Sequence, residues 1–335
     1  MYSYLQSVYS YLQKITILLF IFTATEAYAN QSLFYLEAQV VGGYLSVENG
    51  PIFYSMDQMD TMQKPSIGFD YIQKFSSASG DWGSMAIQAR LAYDKDEKYY
   101  VEPQLYNAYV KIKTTPADIW IGHDRPAAGL SSYFDSHGLL LPTLAMLGFG
   151  FDRDWGAGLY RDFDWGNMAL SGTTGTGMPV YFENNYYITG RIGIGVLSRD
   201  NYTIGLSGSY GKIKETMGYH LLLDTPVLFS AGGVDAAFFI NNFEIRIEGI
   251  AGKKDNLFAG AAFARFGVNL MEEERLKIEV QPVYLRTAGE DNWQTYAGMS
   301  FKITGDFTAR AMYAYDYVMD DHRVIFQLYY YGSVI

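Results

Sequence analysis

The chain reads as an all-β protein, a transmembrane, antiparallel, up-and-down β-barrel of about 16 strands. Three observations lead there. Its composition is rich in 30 Tyr, 21 Phe and 34 Gly against only nine Pro, and its mean hydropathy is −0.05. A mean near zero is what results when one face of every strand meets lipid and the other meets water. Segments of period-two hydrophobicity alternate with turn signals from Leu33 to the end, and no helical periodicity persists over a domain-sized stretch. Finally, nearly every strand carries its own polar face, while no segment supplies a second apolar layer. That combination belongs to a sheet closed on itself, apolar outside and polar inside. A length of 335 residues suits about two soluble domains, but no linker interrupts the rhythm.

Residues 1–29 read as a secretory signal and residues 30–335 as the barrel. Lys14 precedes the apolar run Ile15 to Phe22, and Ala27-Tyr28-Ala29 forms a cleavage site before Asn30. The run falls short of the roughly 20 apolar residues that span a bilayer, which argues against a retained anchor. The absence of cysteine excludes a disulfide scaffold or a thiol site. The expected destination is the outer membrane of a Gram-negative bacterium.

The alternation is clearest in the second half. Phe243, Ile245 and Ile247 share one face and Glu244, Arg246 and Glu248 the other; Leu276, Ile278 and Val280 oppose Lys277, Glu279 and Gln281. Phe307, Ala309, Ala311, Tyr313, Tyr315 and Tyr317 likewise oppose Thr308, Arg310 and Asp316. Strands are expected over 33–47, 65–75, 84–94, 104–113, 118–122, 156–163, 167–172, 186–197 and 202–212. Seven more follow, over 227–240, 243–252, 257–270, 276–286, 293–304, 307–318 and 323–331. Most can supply the roughly 9–11 residues a tilted spanning strand needs.

The connections alternate in length. From a periplasmic amino terminus, every second one should be a tight turn. Thr114–Ala117, Asp164–Gly166, Ser198–Asn201, Asn241–Asn242, Met271–Glu274 and Gly305–Asp306 qualify, being short and mostly rich in Asn, Asp and Gly. Ser76–Gly83 reads as a longer exception. The other series, expected outside, holds 48–64, 95–101, 123–150, 173–185, 213–226 and 288–292. The 123–150 segment is the longest, and loops of such length in a compact array are usually functional. Its Leu139, Leu140, Leu141, Leu144, Met146, Leu147 and Phe149 need a wall to pack against, and the inside of a wide barrel provides one. This third external loop is therefore expected to fold inward.

Arg90, Lys111, Arg191, Arg246, Arg265, Arg286 and Arg310 read as pore-wall residues, each opposite its strand's apolar face. Asp124, Arg125, Asp135, Asp152 and Asp154 lie on or beside the loop. A basic wall facing an acidic loop would set a transverse field across a narrow aqueous slot. The competing reading has these charges solvating the lumen in pairs with Glu244, Glu248, Glu279 and Asp316. Tyr99, Tyr100, Tyr186, Tyr187, Tyr202, Tyr329 and Tyr330 cluster near strand ends as interfacial girdles, which accounts for them before any lumenal track for sugars is invoked.

Gly122-x-x-x-Pro126-x-x-Gly129-Leu130, followed by Arg153-Asp154-Trp155-Gly156, resembles the strand–loop–strand region of the phosphate-selective porin O/P family. The resemblance implies a porin. It does not extend to phosphate as substrate, because that family relies on abundant lumenal lysine and arginine, whereas this chain carries net charge −11. The carboxyl terminus also departs from the usual terminal aromatic, since Tyr329–Tyr331 precede Gly332-Ser333-Val334-Ile335.

The expected function is passive diffusion of ions and small polar solutes through a water-filled channel, with little ion preference or a mild one for cations. The expected surroundings are outer-membrane lipid, and a homotrimer is the assembly that general porins of this size suggest by analogy. No cofactor is implied, and no His/Asp/Glu spacing resembles a metal site. Two rival classes are an outer-membrane lipase or protease and a non-conducting anchor or adhesin. Asp135-Ser136-His137 places hydrolase residue types side by side, but residues adjacent in sequence rarely converge as a triad. The negative charge disfavours nucleic acid.

Overall fold

The computed structural model describes residues 31–59, 63–95, 97, 99–134 and 140–334. The expected signal segment lies outside the described residues. Seventeen strands follow in order. They are β1 (Gln31–Leu45), β2 (Gly50–Ile52), β3 (Ser66–Ser77), β4 (Gly80–Tyr93), β5 (Val101–Ile112), β6 (Asp118–Asp124), β7 (Asp154–Phe163), β8 (Gly166–Thr173) and β9 (Tyr186–Ile194). Then come β10 (Tyr202–Met217), β11 (His220–Ile240), β12 (Phe243–Lys254), β13 (Leu257–Leu270), β14 (Leu276–Thr287), β15 (Glu290–Lys302), β16 (Phe307–Asp316) and β17 (Asp321–Ser333).

β2 is a three-residue return against β1. The other strands pair antiparallel with their sequence neighbours, and β1 closes the circle by pairing with both β3 and β17. The result is a closed 16-stranded antiparallel barrel with almost no helix. Closure leaves no unpaired edge, which a sheet in lipid requires.

Side-chain burial follows the period-two pattern. On β12, Phe243 and Ile247 are 60% and 44% exposed, whereas Glu244, Arg246 and Glu248 are buried. On β14, Ile278 and Val280 face out while Glu279 and Gln281 are buried. The polar faces converge within the barrel, and the apolar faces form its outer belt.

Two connections differ from the sequence expectation. β3 and β4 continue to a two-residue turn at Ala78-Ser79, with a register shift beyond Phe75, so Ser76–Gly83 is a bulged hairpin and not a long turn. Residues 213–226 are not a loop either. β10 and β11 run on as paired strands to a turn at Gly218-Tyr219, with irregular register after Ile213. The β-branched and aliphatic residues of this stretch sustain the pairing.

Candidate functional site: the barrel lumen and its long loop

β6 is short, and its last residue Asp124 pairs with Asp154, the first of β7. The chain between them forms the long loop. Two glycines of the quoted motif have physical reasons. Gly122 sits at φ +126, and a β-carbon there would overlap the Ala108 carbonyl on β5. Gly129 sits at φ +52, where a β-carbon would overlap the Glu248 carboxylate on β12. The first lets β6 stay paired close against β5, and the second lets the loop backbone approach the facing strand.

A 3-10 turn at Leu130–Ser132 follows, with the Ser131 hydroxyl donating to the Ala128 carbonyl and the Ser132 hydroxyl to that of Gly129, both at 2.7 Å. Beyond it, Leu140, Leu141, Leu144 and Phe149 pack in one apolar cluster with Ala237, Ala261, Phe263, Val283, Tyr296, Met312 and Ile325. These partners lie on β11 and β13 to β17. Fully burying a side chain of this size contributes about 1.5–3 kcal/mol.

Basic side chains reinforce that contact. Arg265 Nη2 donates to the carbonyl oxygens of Leu141 (3.2 Å) and Pro142 (3.0 Å), and Gln281 Nε2 donates to Pro142 at 2.9 Å. The Arg191 guanidinium donates to Tyr133 Oη at 2.7 Å and to Asp235 Oδ1 at 2.5 Å. The Arg246 guanidinium lies 3.5 Å from the centre of the Phe134 ring and pairs with Glu244. These three arginines therefore touch the loop itself.

At the loop's end, Arg153 stacks on Tyr106 (4.4 Å), pairs with Asp152 (2.6 Å) and donates to Asn107 Oδ1 (2.9 Å). Asp154 organises the next connection. Its carboxylate accepts from Thr174 Oγ1 and from the backbone N–H groups of Gly175, Thr176 and Gly177, all within 2.7–3.3 Å.

Across from the anchored part lies a cavity of ≈ 670 Å3, bounded by β3 to β8, β17 and the start of the loop. Its charged lining comprises Asp70, Lys111, Asp118, Asp124 and Arg125. Lys111 pairs with Asp124 at 3.0 Å, and its side chain stays 42% exposed.

Of the residues expected from sequence, the structure thus gathers Lys111, Asp124 and Arg125 at the cavity. Arg90 is buried against Glu37 (3.5 Å) and Gln104 (2.6 Å), and Arg310 bonds Gln327 at 2.8 Å over the Tyr329 ring. Asp152 and Asp154 are taken up by Arg153 and the Thr174 turn. Asp135, with its neighbours Ser136 and His137, lies outside the described residues.

Arg286 belongs elsewhere. Gln281 and Val283 are fully buried, so strict alternation puts Arg286 on the outer face with Tyr284. Both donate to Asp291 near the β14–β15 turn, beside the exposed Trp293. Arg286 also shares the parity of Ile278 and Val280, so alternation alone places it on the apolar face and the inward expectation miscounted the strand.

Sequence reasoning also missed Tyr106, Tyr133 and Arg153. The alternation Glu102, Gln104, Tyr106 marks an inward row that could have revealed the first. A bulge on β5 between Leu105 and Asn107 then shifts the parity.

One further group crosses the mouth. β10 and β11 lie several strands from β5 around the barrel, yet Tyr219 at their turn reaches it. Its hydroxyl donates to the Leu105 carbonyl (3.1 Å) and accepts from the Leu105 N–H (2.5 Å), satisfying the bulged backbone. On the way, Lys214 pairs with Glu183, and the Thr216 hydroxyl donates to the Thr176 carbonyl at 2.9 Å. The hairpin brings His220 beside Asp94 and Glu102, residues far apart in sequence.

No family model matches the chain, and no curated protein matches it. Its fold is shared with solved outer-membrane proteins. OmpT of Vibrio cholerae in trimer form superposes with TM-score 0.63 at 13% identity, covering 91% of this chain and 100% of that one. The anion-selective porin from Comamonas acidovorans gives TM-score 0.61 at 11% identity, covering 91% and 99%. OmpF of Salmonella typhi gives 0.60 at 10% identity, covering 90% and 97%. What the chain shares with these proteins is the fold, a closed antiparallel β-barrel of the porin type.

Proposed function

We propose that the chain is a porin, forming a water-filled channel for passive diffusion of ions and small polar solutes across the bacterial outer membrane. The observation that carries this reading is the division of the lumen. The loop's aliphatic side chains and Arg265 contacts lie on the β11 to β17 side, while the open cavity lies on the β3 to β8 side. A loop held in that way narrows the barrel without filling it. The Gly122-to-Gly129 segment, similar to that of phosphate-selective porins, supports the porin reading.

Selectivity in this view rests on few charges. Three carboxylates and two bases line the cavity, and the chain carries −11 overall, which favours weak cation preference. Asp152 is taken up by Arg153 and Asp154 by the 174–177 turn, so the transverse field reduces to Lys111, Arg125, Asp70, Asp118 and Asp124. The reading includes export by residues 1–29 and no enzymatic activity. It includes a homotrimer, supported by the trimer form of the Vibrio cholerae barrel of similar fold.

Planar-bilayer recording of the purified protein tests the proposal. Stepwise conductance is expected, and deleting 131–148 should raise it and admit larger solutes. Silent insertion of folded barrel would favour an anchor or enzyme, and unchanged conductance after the deletion would remove the loop from the pore.

A further inference from the structure

We propose that the mouth-crossing hairpin closes a binding site for a divalent transition-metal ion of the zinc class, with Asp94, Glu102 and His220 as its ligands. β11 has 21 residues, about twice what a spanning strand requires. The excess carries the turn away from its own strands to β5, five strands away around the ring. Tyr219 pins it there through both backbone groups of Leu105. The neighbouring His220 is thereby delivered to two carboxylates that belong to β5 and to the residue following β4.

The ligand atoms of these three side chains all lie within 4.8 Å of one another. Tetrahedral zinc, with bonds of about 2.0–2.2 Å, wants about 3.4 Å between ligand atoms. Small side-chain rotations close that difference. One imidazole and two carboxylates make a donor set that suits zinc, with one position left for water. Asp94 and Glu102 are 2% and 5% exposed, and two outer amides orient them. Gln58 Nε2 donates to Asp94 Oδ1 at 2.8 Å and Gln104 Nε2 to Glu102 Oε2 at 2.6 Å. Amides in this position around a metal fix the ligands' direction. The His220 imidazole makes no hydrogen bond among the described residues, so its lone pair is free to coordinate.

Lys64 shows that the cluster is built to hold positive charge. Its ammonium contacts Asp94 at 2.7 Å and Glu102 at 3.2 Å. It competes for the same oxygens, so an arriving ion displaces it from one of them. Bound metal would join the strap to β4 and β5 by coordination bonds as well as by the Tyr219 clasp.

The test is calorimetric titration of the chelator-stripped, full-length protein in detergent with zinc chloride, independent of any conductance. One zinc per chain is expected, with His220→Ala weakening binding at least tenfold. Lys64→Gln should tighten it several-fold, because the competing ammonium is gone. Heat-modifiable migration of each variant establishes that the barrel has folded. No zinc binding by wild type and Lys64→Gln alike, or equal binding by folded His220→Ala, overturns the proposal. Equal binding of magnesium also overturns it, since an imidazole-containing site should discriminate against that ion.

Discussion

Arg265 on β13 donates to the carbonyl oxygen of Pro142 at 3.0 Å, joining the barrel wall to the long loop. The same guanidinium reaches Leu141, and Gln281 on the adjoining strand shares the Pro142 oxygen. A wall arginine therefore serves as an anchor for the loop. The buried carbonyls of Leu141 and Pro142 are thus satisfied by the inner face, which offsets the cost of burying them.

Replacing Arg265 with Met keeps much of the volume and removes the donors. Each buried acceptor left unsatisfied costs about 1–3 kcal/mol. The loop should loosen, giving larger and noisier single-channel currents from a barrel that still shows heat-modifiable migration. Currents identical to wild type would mean that apolar packing alone holds the loop.

Asp124→Asn removes one negative charge from the cavity while preserving volume, and leaves Lys111 without its partner at 3.0 Å. Reversal potentials in a potassium chloride gradient should move toward anion permeation. Lys111→Gln should move them the opposite way, with conductance nearly constant in both. A shift in the same direction for both variants would show that these residues act through structure and not through charge.

Asp154→Ala strips acceptors from four donors in the 174–177 turn. With each orphaned buried donor costing about 1–3 kcal/mol, the 174–185 connection should open to proteolysis in folded barrels. Mapping the cleavage sites by mass spectrometry decides this, and continued resistance would place its stability elsewhere, notably in Asn185.

Gly129→Ala places a methyl group against Glu248 and raises the cost of the positive φ. About 1 kcal/mol of backbone strain adds to the displacement of the glutamate. Hydrogen exchange should increase across the described loop residues 125–134 while the β12 strand remains protected. Uniform exchange with wild type would mean that Glu248 swings away freely.

How much of this was legible in the chain depends on the range of the interaction concerned. Barrel class, strand positions and the identity of the long loop follow from patterns a few residues apart, because lipid and water impose a strict alternation on every strand. Phe243 to Glu248 display their two faces without reference to any partner. Arg286 needed no structure to place, because it shares the parity of Ile278 and Val280 on an unbroken strand. Two features needed the closed barrel. Arg191, Arg246 and Arg265 face inward as their spacing indicates, but that spacing contains no information on what lies opposite them. The approach of Tyr219 to Leu105 and of His220 to Asp94 depends on strands separated around the circumference. Such contacts are decided by barrel curvature and by the bend of the β10–β11 hairpin, which arise only once all strands have paired.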